Sequence, residues 1–302
     1  MHALPLALAL VLAAAIAPAL LRTLGARGWR RPNYRGRMLP CPLGLLTPIA
    51  ATLALVPLTL VQRLAAVRLL SPPLAPIALY AFGVLVLGLI DDALGSPSAA
   101  GGAQAAGAED RPAPAPRGWR GHAAATLRGE LSTGALKAGG SLGLALLATS
   151  YLGLPDGRWL LATGVLVLAT NAFNLLDLRP GRATKAFVLV GAGLTIGSAD
   201  LRPLWALGLF AAPALLAGAY DLRERAMLGD TGANLLGALA GLWLVLTLPG
   251  TGQLVAFVLL AAVTAYGELR SISALIERTP GLRQLDALGR PKPARAGAAG
   301  AE

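Results

Sequence analysis

Long apolar segments separated by shorter polar ones dominate the sequence. Nine apolar runs of about 15 to 20 residues recur, each close to the length that a helix needs to cross roughly 30 Å of hydrocarbon. They cover residues 3–22, 43–62, 75–90, 137–153, 159–176, 184–198, 203–219, 230–248 and 253–268. The pattern predicts an all-α, polytopic membrane helix bundle with about nine transmembrane helices.

Composition supports this class. Apolar residues make up 55% of the 302 residues, charged residues 14%, and the mean hydropathy is +0.63, which a soluble protein of this length rarely reaches. The first apolar run has no basic residues before it, and its arginines follow it, so we expect a membrane helix and not a signal peptide. Cys41 is the only cysteine, which excludes an intramolecular disulfide and a cysteine-based metal cluster.

The basic residues predict the orientation. With the N-terminus outside, 22 of the 26 Lys and Arg residues fall in inward-facing connections and four fall outside. This split obeys the positive-inside rule and places the C-terminus in the cytoplasm. Topology and the anionic membrane lipids of the inner leaflet therefore explain the net charge of +11 without a nucleic-acid partner.

The domain organisation follows from these patterns. We expect a transmembrane domain over residues 1–268, interrupted by an Ala/Gly/Pro-rich, disordered cytoplasmic insert at about 96–117. Apolar residues at helical spacing predict a cytoplasmic amphipathic segment over 269–290, and 291–302 is expected to be a disordered tail. His122, the only internal histidine, is expected to be a surface residue near the headgroups.

Two adjacent carboxylates, Asp91 and Asp92, end the third apolar run. An aspartate at the centre of a bilayer helix costs roughly 2.5–3.5 kcal/mol, so acids in such segments are usually functional or interfacial. Mg²⁺ typically binds one or two carboxylates and completes its shell with waters and substrate phosphates. The alternative is a turn that only ends a helix.

Further polar groups are predicted at the same membrane depth. Asn171, Asn174 and Asp177 are spaced by three residues, which places them on one broad face at the inner end of the fifth run. Their alternative role is hydrogen bonding to a neighbouring helix. Asp230 opens the eighth run in Gly-Asp-Thr-Gly, where it could be an N-cap, a metal ligand or both.

Basic residues accompany these acids. Lys137 begins the fourth run, while Arg179, Arg182 and Lys185 follow Asp177. They could bind a diphosphate, Arg by paired hydrogen bonds and Lys as a point charge. The alternative is that the loop arginines only determine topology.

Taken in order, these motifs resemble the polyprenyl-phosphate N-acetylhexosamine-1-phosphate transferases, which include phospho-N-acetylmuramoyl-pentapeptide transferase and the GlcNAc-1-phosphate transferases. The resemblance rests on Gly-Leu-Ile-Asp-Asp at 88–92, Asn-Ala-Phe-Asn-Leu-Leu-Asp at 171–177 and Gly-Asp-Thr-Gly at 229–232. Asn-Tyr-Arg-Gly at 33–36 looks like the family's first inner loop, and Lys137 falls where the family has a phosphate-binding lysine.

The resemblance implies a phosphotransferase at the cytoplasmic face of the cell membrane. It would transfer a sugar-1-phosphate from a UDP-amino sugar to a polyprenyl (undecaprenyl) phosphate and release UMP, in cell-envelope glycan synthesis. Asp230 and Asn174 would hold Mg²⁺, or Mn²⁺ in its place. Asp91, Asp92 and Lys137 would be catalytic. The substrate-binding residues would be Asn171, Asp177, Arg179 and Arg182.

The sequence departs from the family at three motifs. Ala233 follows Gly-Asp-Thr-Gly where the family usually has Ser. Pro180 stands where the third motif usually has its second aspartate, and residues 268–302 lack the family's His-rich loop. These departures keep open a catalytically degenerate regulatory or scaffold relative. A membrane transporter is the third hypothesis, but it predicts charges near the bilayer midplane and an internal repeat, whereas the acids cluster at one face. The oligomeric state stays open, with a homodimer as one arrangement.

Overall fold

The computed structural model of the chain describes residues 2–94 and 133–291, which fold mostly into α-helices. Nine helices are long, and their bounds are α1 Leu4–Ala26, α2 Leu46–Leu64, α3 Leu74–Leu94, α4 Thr133–Ser150, α5 Asp156–Leu176, α6 Arg182–Ser198, α7 Arg202–Leu222, α8 Gly229–Thr247 and α9 Gly250–Leu269. Two short helices follow, α10 (Ile272–Arg278) and α11 (Pro280–Ala287).

Seven of the long helices are sufficiently long and apolar to cross a membrane. They are α1, α2 with the preceding turn from Leu43, α3, α5, α7, α8 and α9. Helix α6 has only 17 residues, and α4 carries Lys137 and four glycines. The predicted helical, multi-pass membrane character therefore agrees with the structure, whereas the count of nine spans and the orientation stay predictions.

Helix α8 forms the centre of the bundle. Fourteen of its residues are buried, and it packs against α3, α5, α6 and α7. Small residues allow these close contacts: an added Cβ at Gly237 would lie 2.7 Å from Thr170 Cα on α5. By contrast, α9 exposes Leu254, Val255, Val258 and Leu259, as expected of a face that meets lipid.

Successive long helices run in alternating directions, so their ends form two opposite surfaces. At one surface Lys137, in the first turns of α4, contacts Asp91 near the end of α3. At the other, Arg158 Nη2 donates to the carbonyl of Leu248 at 3.2 Å. We call the surface with Lys137 the polar end, and the predicted chemical residues lie there.

A short β-hairpin covers the polar end. Strand β1 (Arg30–Pro32) pairs antiparallel with β2 (Met38–Pro40), and the chain then enters a single 3₁₀ turn, Leu43–Leu45. That turn is attached to the loop before α8, because Leu43 N donates to the carbonyl of Met227 at 2.8 Å. The hydrophobic pattern did not predict this hairpin, since strands of three residues give no measurable period.

The segment predicted over 269–290 contains the two short helices α10 and α11. Pro280 begins α11 directly after Thr279, and a proline at this position cannot continue the preceding helix. Ser271 caps α10 by accepting a hydrogen bond from Ala274 N at 3.2 Å. The predicted insert at 96–117, His122 and the tail from residue 292 lie outside the described residues.

Candidate active site at the polar end

Lys137 joins two acids from different helices. Its Nζ lies 2.6 Å from Oδ2 of Asp230 on α8 and 3.2 Å from Oδ2 of Asp91 on α3. The three side chains are 16% (Lys137), 22% (Asp91) and 35% (Asp230) exposed, so the group is partly buried and water can still reach it. We call Asp91, Lys137 and Asp230 the acid–lysine cluster. The structure thus brings together three residues that the sequence separates by up to 139 positions.

Asp92 has a different environment from its neighbour. Its Oδ1 accepts the backbone N–H of Asp230 at 3.1 Å, and its Oδ2 accepts the N–H and the hydroxyl of Thr231 at 2.8 and 2.6 Å. Successive helical residues point about 100° apart, which lets one carboxylate face Lys137 and the next face α8. Asp92 therefore supplies an N-terminal cap to α8 from another helix.

Asp230 itself is not the N-cap of α8, although the sequence allowed that role. The helix begins at Gly229, so Asp230 lies in its first turn, where a carboxylate interacts favourably with the helix dipole. Gly229 has φ of +70°, and an added Cβ would lie 2.6 Å from Asp92 Oδ2. A glycine is needed here for both the backbone conformation and the approach of Asp92.

The predicted Asn, Asn, Asp series also reaches the polar end. Asn171 and Asn174 lie in the last two turns of α5, and Asp177 directly follows the helix. The Oδ1 atom of Asn174 is buried without a hydrogen-bond partner. The pKa of Asp177 lies well above the usual value, because burial and the charges of Asp221, Asp230 and Asp92 outweigh that of Arg182.

Two buried acids near the end of α7 were not among the site residues predicted from the sequence. Asp221 accepts the backbone N–H of Gly181 at 2.6 Å, which fixes the turn between Asp177 and α6. Glu224, with no exposed side-chain surface, lies 3.3 Å from Arg35 and 3.4 Å from Arg37 on the hairpin. Their only sequence signal was two acids directly after an apolar run, which the arginines around them obscured.

Glu224 also binds the polar residues at the hairpin tip. The hydroxyl of Tyr34 donates to its Oε1 at 3.1 Å, and Asn33 Nδ2 donates to its Oε2 at 3.4 Å. Burial, followed by the charge and hydrogen bond of Glu224, raises the pKa of Tyr34. Arg31 Nη2 donates to the backbone carbonyl of Asp92, so the hairpin connects Glu224 with the end of α3.

The predicted diphosphate-binding arginines contact the C-terminal helices. Arg182 donates to both carboxylate oxygens of Asp286 at 3.0 and 3.1 Å. Arg179 forms an ion pair with Glu277 at 3.0 Å, and its guanidinium carbon lies 4.5 Å from the centre of the Tyr34 ring. Neither arginine contacts the acid–lysine cluster.

The polar end carries oxygen atoms of the kind that bind divalent cations. Within residues 2–94 and 133–291, no group of three or more His, Cys, Asp or Glu side chains has metal-site geometry. Mg²⁺ needs only one or two carboxylates, however, and the polar end offers Asp91 and Asp230 around one ammonium group, plus the unpartnered Oδ1 of Asn174. By chemical type, carboxylate and amide oxygens are the donors that Mg²⁺ prefers.

A separate cleft of about 650 Å³ lies where α9 meets α10. Its lining combines apolar side chains with Arg270 and Arg278, and it includes no member of the acid–lysine cluster. The candidate chemistry therefore rests on the cluster and not on this cleft.

Comparison with known proteins assigns no family. No protein-family model matches the chain, and no curated protein is significantly similar to it in sequence. The resemblance of the motifs to the sugar-1-phosphate transferases therefore stays an interpretation of the residues themselves.

Proposed function

We propose that the chain is a Mg²⁺-dependent phosphotransferase that moves a sugar-1-phosphate from a UDP-amino sugar to a polyprenyl phosphate and releases UMP. One observation carries the proposal: Lys137 bridges Asp91 and Asp230 at 3.2 and 2.6 Å, so acids and a cation from three helices converge. Phosphoryl transfer needs this combination, since its catalysis is mostly positioning and charge neutralisation.

Asp230 and Asn174 would hold Mg²⁺. When bound, the metal supplies positive charge that polarises the diphosphate and stabilises the charge on the transferred phosphoryl group. The buried Oδ1 of Asn174 supports this assignment, because a buried polar atom without a partner is costly unless something binds it. Asn171 and Asp177 would contact the substrate from the same end of α5.

The remaining roles divide the aspartate pair. Asp91 would orient the lipid phosphate and accept its proton, while Lys137 would neutralise a phosphoryl oxygen as the substrates replace its present carboxylate contacts. Asp92 would act on the reaction by holding Asp230 and Thr231 in place. The geometry favours Asp91 over Asp92 as the catalytic member of the pair.

The membrane topology completes the proposal. All nine long helices would cross or enter the bilayer, with the N-terminus outside and the polar end in the cytoplasm of a cell membrane. The cationic excess at the inner connections supports this orientation. A polyprenyl chain would then approach sideways from the lipid, and the water-soluble nucleotide would arrive from the cytoplasm.

The direct test is UMP release by the purified protein with undecaprenyl phosphate, Mg²⁺ and a panel of UDP-amino sugars. Asp91→Asn should abolish release, whereas Asp156→Asn and Asp200→Asn, at the opposite end of the bundle, should leave it unchanged. Absence of turnover with every sugar, together with full cellular function of the Asp91→Asn protein, would refute the proposal.

A second candidate, a catalytically degenerate scaffold, is favoured by one contact. The guanidinium of Arg182 donates to Asp286 and, at 3.0 Å, to the hydroxyl of Ser273, and Pro180 stands where the family that the motifs resemble has an aspartate. Titration of UDP and Mg²⁺ by calorimetry separates the two functions. An enzyme should bind the nucleotide in a metal-dependent manner, and a scaffold should not.

A further inference from the structure

The last described part of the chain is attached to the bundle mainly by charge. We call residues 270–291, which contain α10 and α11, the C-terminal strap. The two helices pack chiefly against each other. Helix α10 buries only Ile272, and α11 buries no residue. Apolar burial therefore contributes little to holding the strap in place.

Four cations outside the strap bind it: Arg35 on the hairpin tip donates to the carbonyl of Pro291 at 3.1 Å, and the other three lie at or near the start of α6. Arg179 pairs with Glu277 at 3.0 Å, and Arg182 binds both oxygens of Asp286. Lys185 donates to three backbone carbonyls around the C-terminal end of α11, those of Leu285, Asp286 and Leu288. Each of the three cations near α6 thus meets a negative group or the negative end of a helix dipole.

The carboxylate of Asp286 is bound in the way that a phosphate is usually bound. The carboxylate lies against a planar guanidinium that donates to both of its oxygens, as arginine does to a phosphate. Arg182 is 6% exposed and Asp286 is 12% exposed, which strengthens the pair relative to one in open water. The pKa of Asp286 is lowered, because Arg182 and Arg290 outweigh the effect of burial.

We propose that the C-terminal strap is an internal competitor for an anionic ligand: the Asp286 carboxylate occupies the anion position of Arg182, Lys185 holds the backbone carbonyls beside it, and a diphosphate displaces both contacts. The inference rests on the proposed function, from which it takes the diphosphate of the nucleotide sugar as the ligand. Displacement exchanges one carboxylate for a group of higher charge and more acceptor oxygens.

Release of the strap leaves few charges unpaired. Arg290 binds Asp286 from the next turn, so the released strap keeps an internal partner for its acid, although release also breaks the hydrogen bond from Arg290 Nε to the carbonyl of Pro180. Arg182 and Lys185 stay on α6 and become free for the ligand. Since the contacts are ionic, added salt should also favour release.

The experiment measures strap opening and ligand binding on the full-length protein without divalent cations, so that no metal-bound diphosphate at the acid–lysine cluster contributes. Inorganic diphosphate is the probe. Its affinity is measured by calorimetry, and hydrogen exchange of the backbone amides of 272–288 reports opening. In the wild type, saturating diphosphate should speed this exchange. In Asp286→Asn the exchange should already be fast, and diphosphate should bind about tenfold more tightly, because the competing closed state is removed.

Matched variants make the result specific. Asp200→Asn, an acid at the opposite end of the bundle, should behave as the wild type, and Glu277→Gln should shift both readouts in the direction of Asp286→Asn by a smaller factor. The inference is overturned if neither protein binds diphosphate, if Asp286→Asn leaves affinity and exchange at wild-type values, or if diphosphate binds without opening the strap. None of these readouts needs turnover, so a failed UMP assay leaves them interpretable.

Discussion

Asp92 on α3 and Thr231 on α8 are joined twice, because Oδ2 of Asp92 accepts the backbone N–H of Thr231 at 2.8 Å and its hydroxyl at 2.6 Å. The contact locks the end of α3 to the start of α8. The two adjacent aspartates therefore have different partners, because Asp91 accepts a hydrogen bond from Lys137 instead.

This division predicts opposite phenotypes for two conservative substitutions. Asp92→Asn should lower the free energy of unfolding by about 1–2 kcal/mol, because it weakens charged hydrogen bonds to the first turn of α8. Asp91→Asn should lower stability less, because Lys137 keeps its closer partner Asp230 at 2.6 Å, and should abolish UMP release. Thermal unfolding in detergent, run beside the activity assay, separates the effects. Equal stability losses in both variants would contradict the assignment.

Two glycines on neighbouring helices form a matched pair for packing. An added Cβ at Gly88 would lie 2.5 Å from the carbonyl oxygen of Asp230, whereas one at Gly143 meets nothing within 4 Å. Gly88→Ala should therefore force α3 away from α8 and lower the unfolding free energy by about 1–3 kcal/mol. Gly143→Ala should raise it by about 0.5–1 kcal/mol, since alanine favours the helix. Denaturant or thermal unfolding checks both signs.

Lys137 offers a test of charge neutralisation. Lys137→Met should reduce UMP release by about a hundredfold or more, because the site loses its ammonium group. The same change leaves Asp91 and Asp230 without their shared cation, so Mg²⁺ should raise the unfolding temperature of the variant more than that of the wild type. Arg63→Met, at the opposite end of the bundle, is the control for both measurements. If Mg²⁺ raised the unfolding temperature of the variant and of the wild type equally, Lys137 would not lie at the metal position.

The raised pKa of Asp177 predicts how stability depends on pH. A raised pKa in the folded state means that folding favours the protonated form, so this stabilisation is present below the usual pKa of 3.8 and is lost as pH rises through the folded value. Above that window the wild type holds an unfavourable buried charge. Asp177→Asn should be more stable than the wild type at neutral pH, and the difference should disappear in acid. Unfolding temperatures from pH 4 to 8 test this.

Buried and exposed acids should respond differently to loss of charge. Glu224→Gln should lower the unfolding free energy by about 2 kcal/mol, less than the roughly 3–5 kcal/mol for a fully buried pair, because Arg35 and Arg37 are 25% and 58% exposed and water can reach them. Asp200→Asn breaks an ion pair with Arg202, which is 91% exposed, and should cause no measurable change. Similar losses in the two variants would exclude a special role for Glu224.

Much of this architecture could be predicted from the sequence, because membrane helices have a strong one-dimensional signal. Apolar length located the helices to within a few residues, and alternation of direction placed Asp91, Lys137 and Asp230 at one end. The contact of Lys137 with both acids could not be derived, since it depends on how α3, α4 and α8 pack.

Other features carried no signal that a single sequence can reveal. Glu224 contacts residues nearly 190 positions earlier, and its loop gave no periodicity. From the sequence, Asp92 looked equivalent to Asp91. The two side chains point about 100° apart, but which partner each one meets depends on the positions of the neighbouring helices. The sequence predicted that Arg182 binds a phosphate group. Its ion pair with Asp286 could not be predicted, because it depends on where α11 packs.

The central position of α8 also constrains the order in which the fold is completed. Helices α3, α5, α6 and α7, which surround it, all precede it in the chain and are therefore synthesised first. The seven long helices that precede α8 cannot complete their packing before α8 is synthesised. Asp230 and Thr231 are part of α8 and therefore join the bundle with it. Assembly of the polar end is thus a late event in biogenesis, and a chain interrupted before residue 229 has helices but no site.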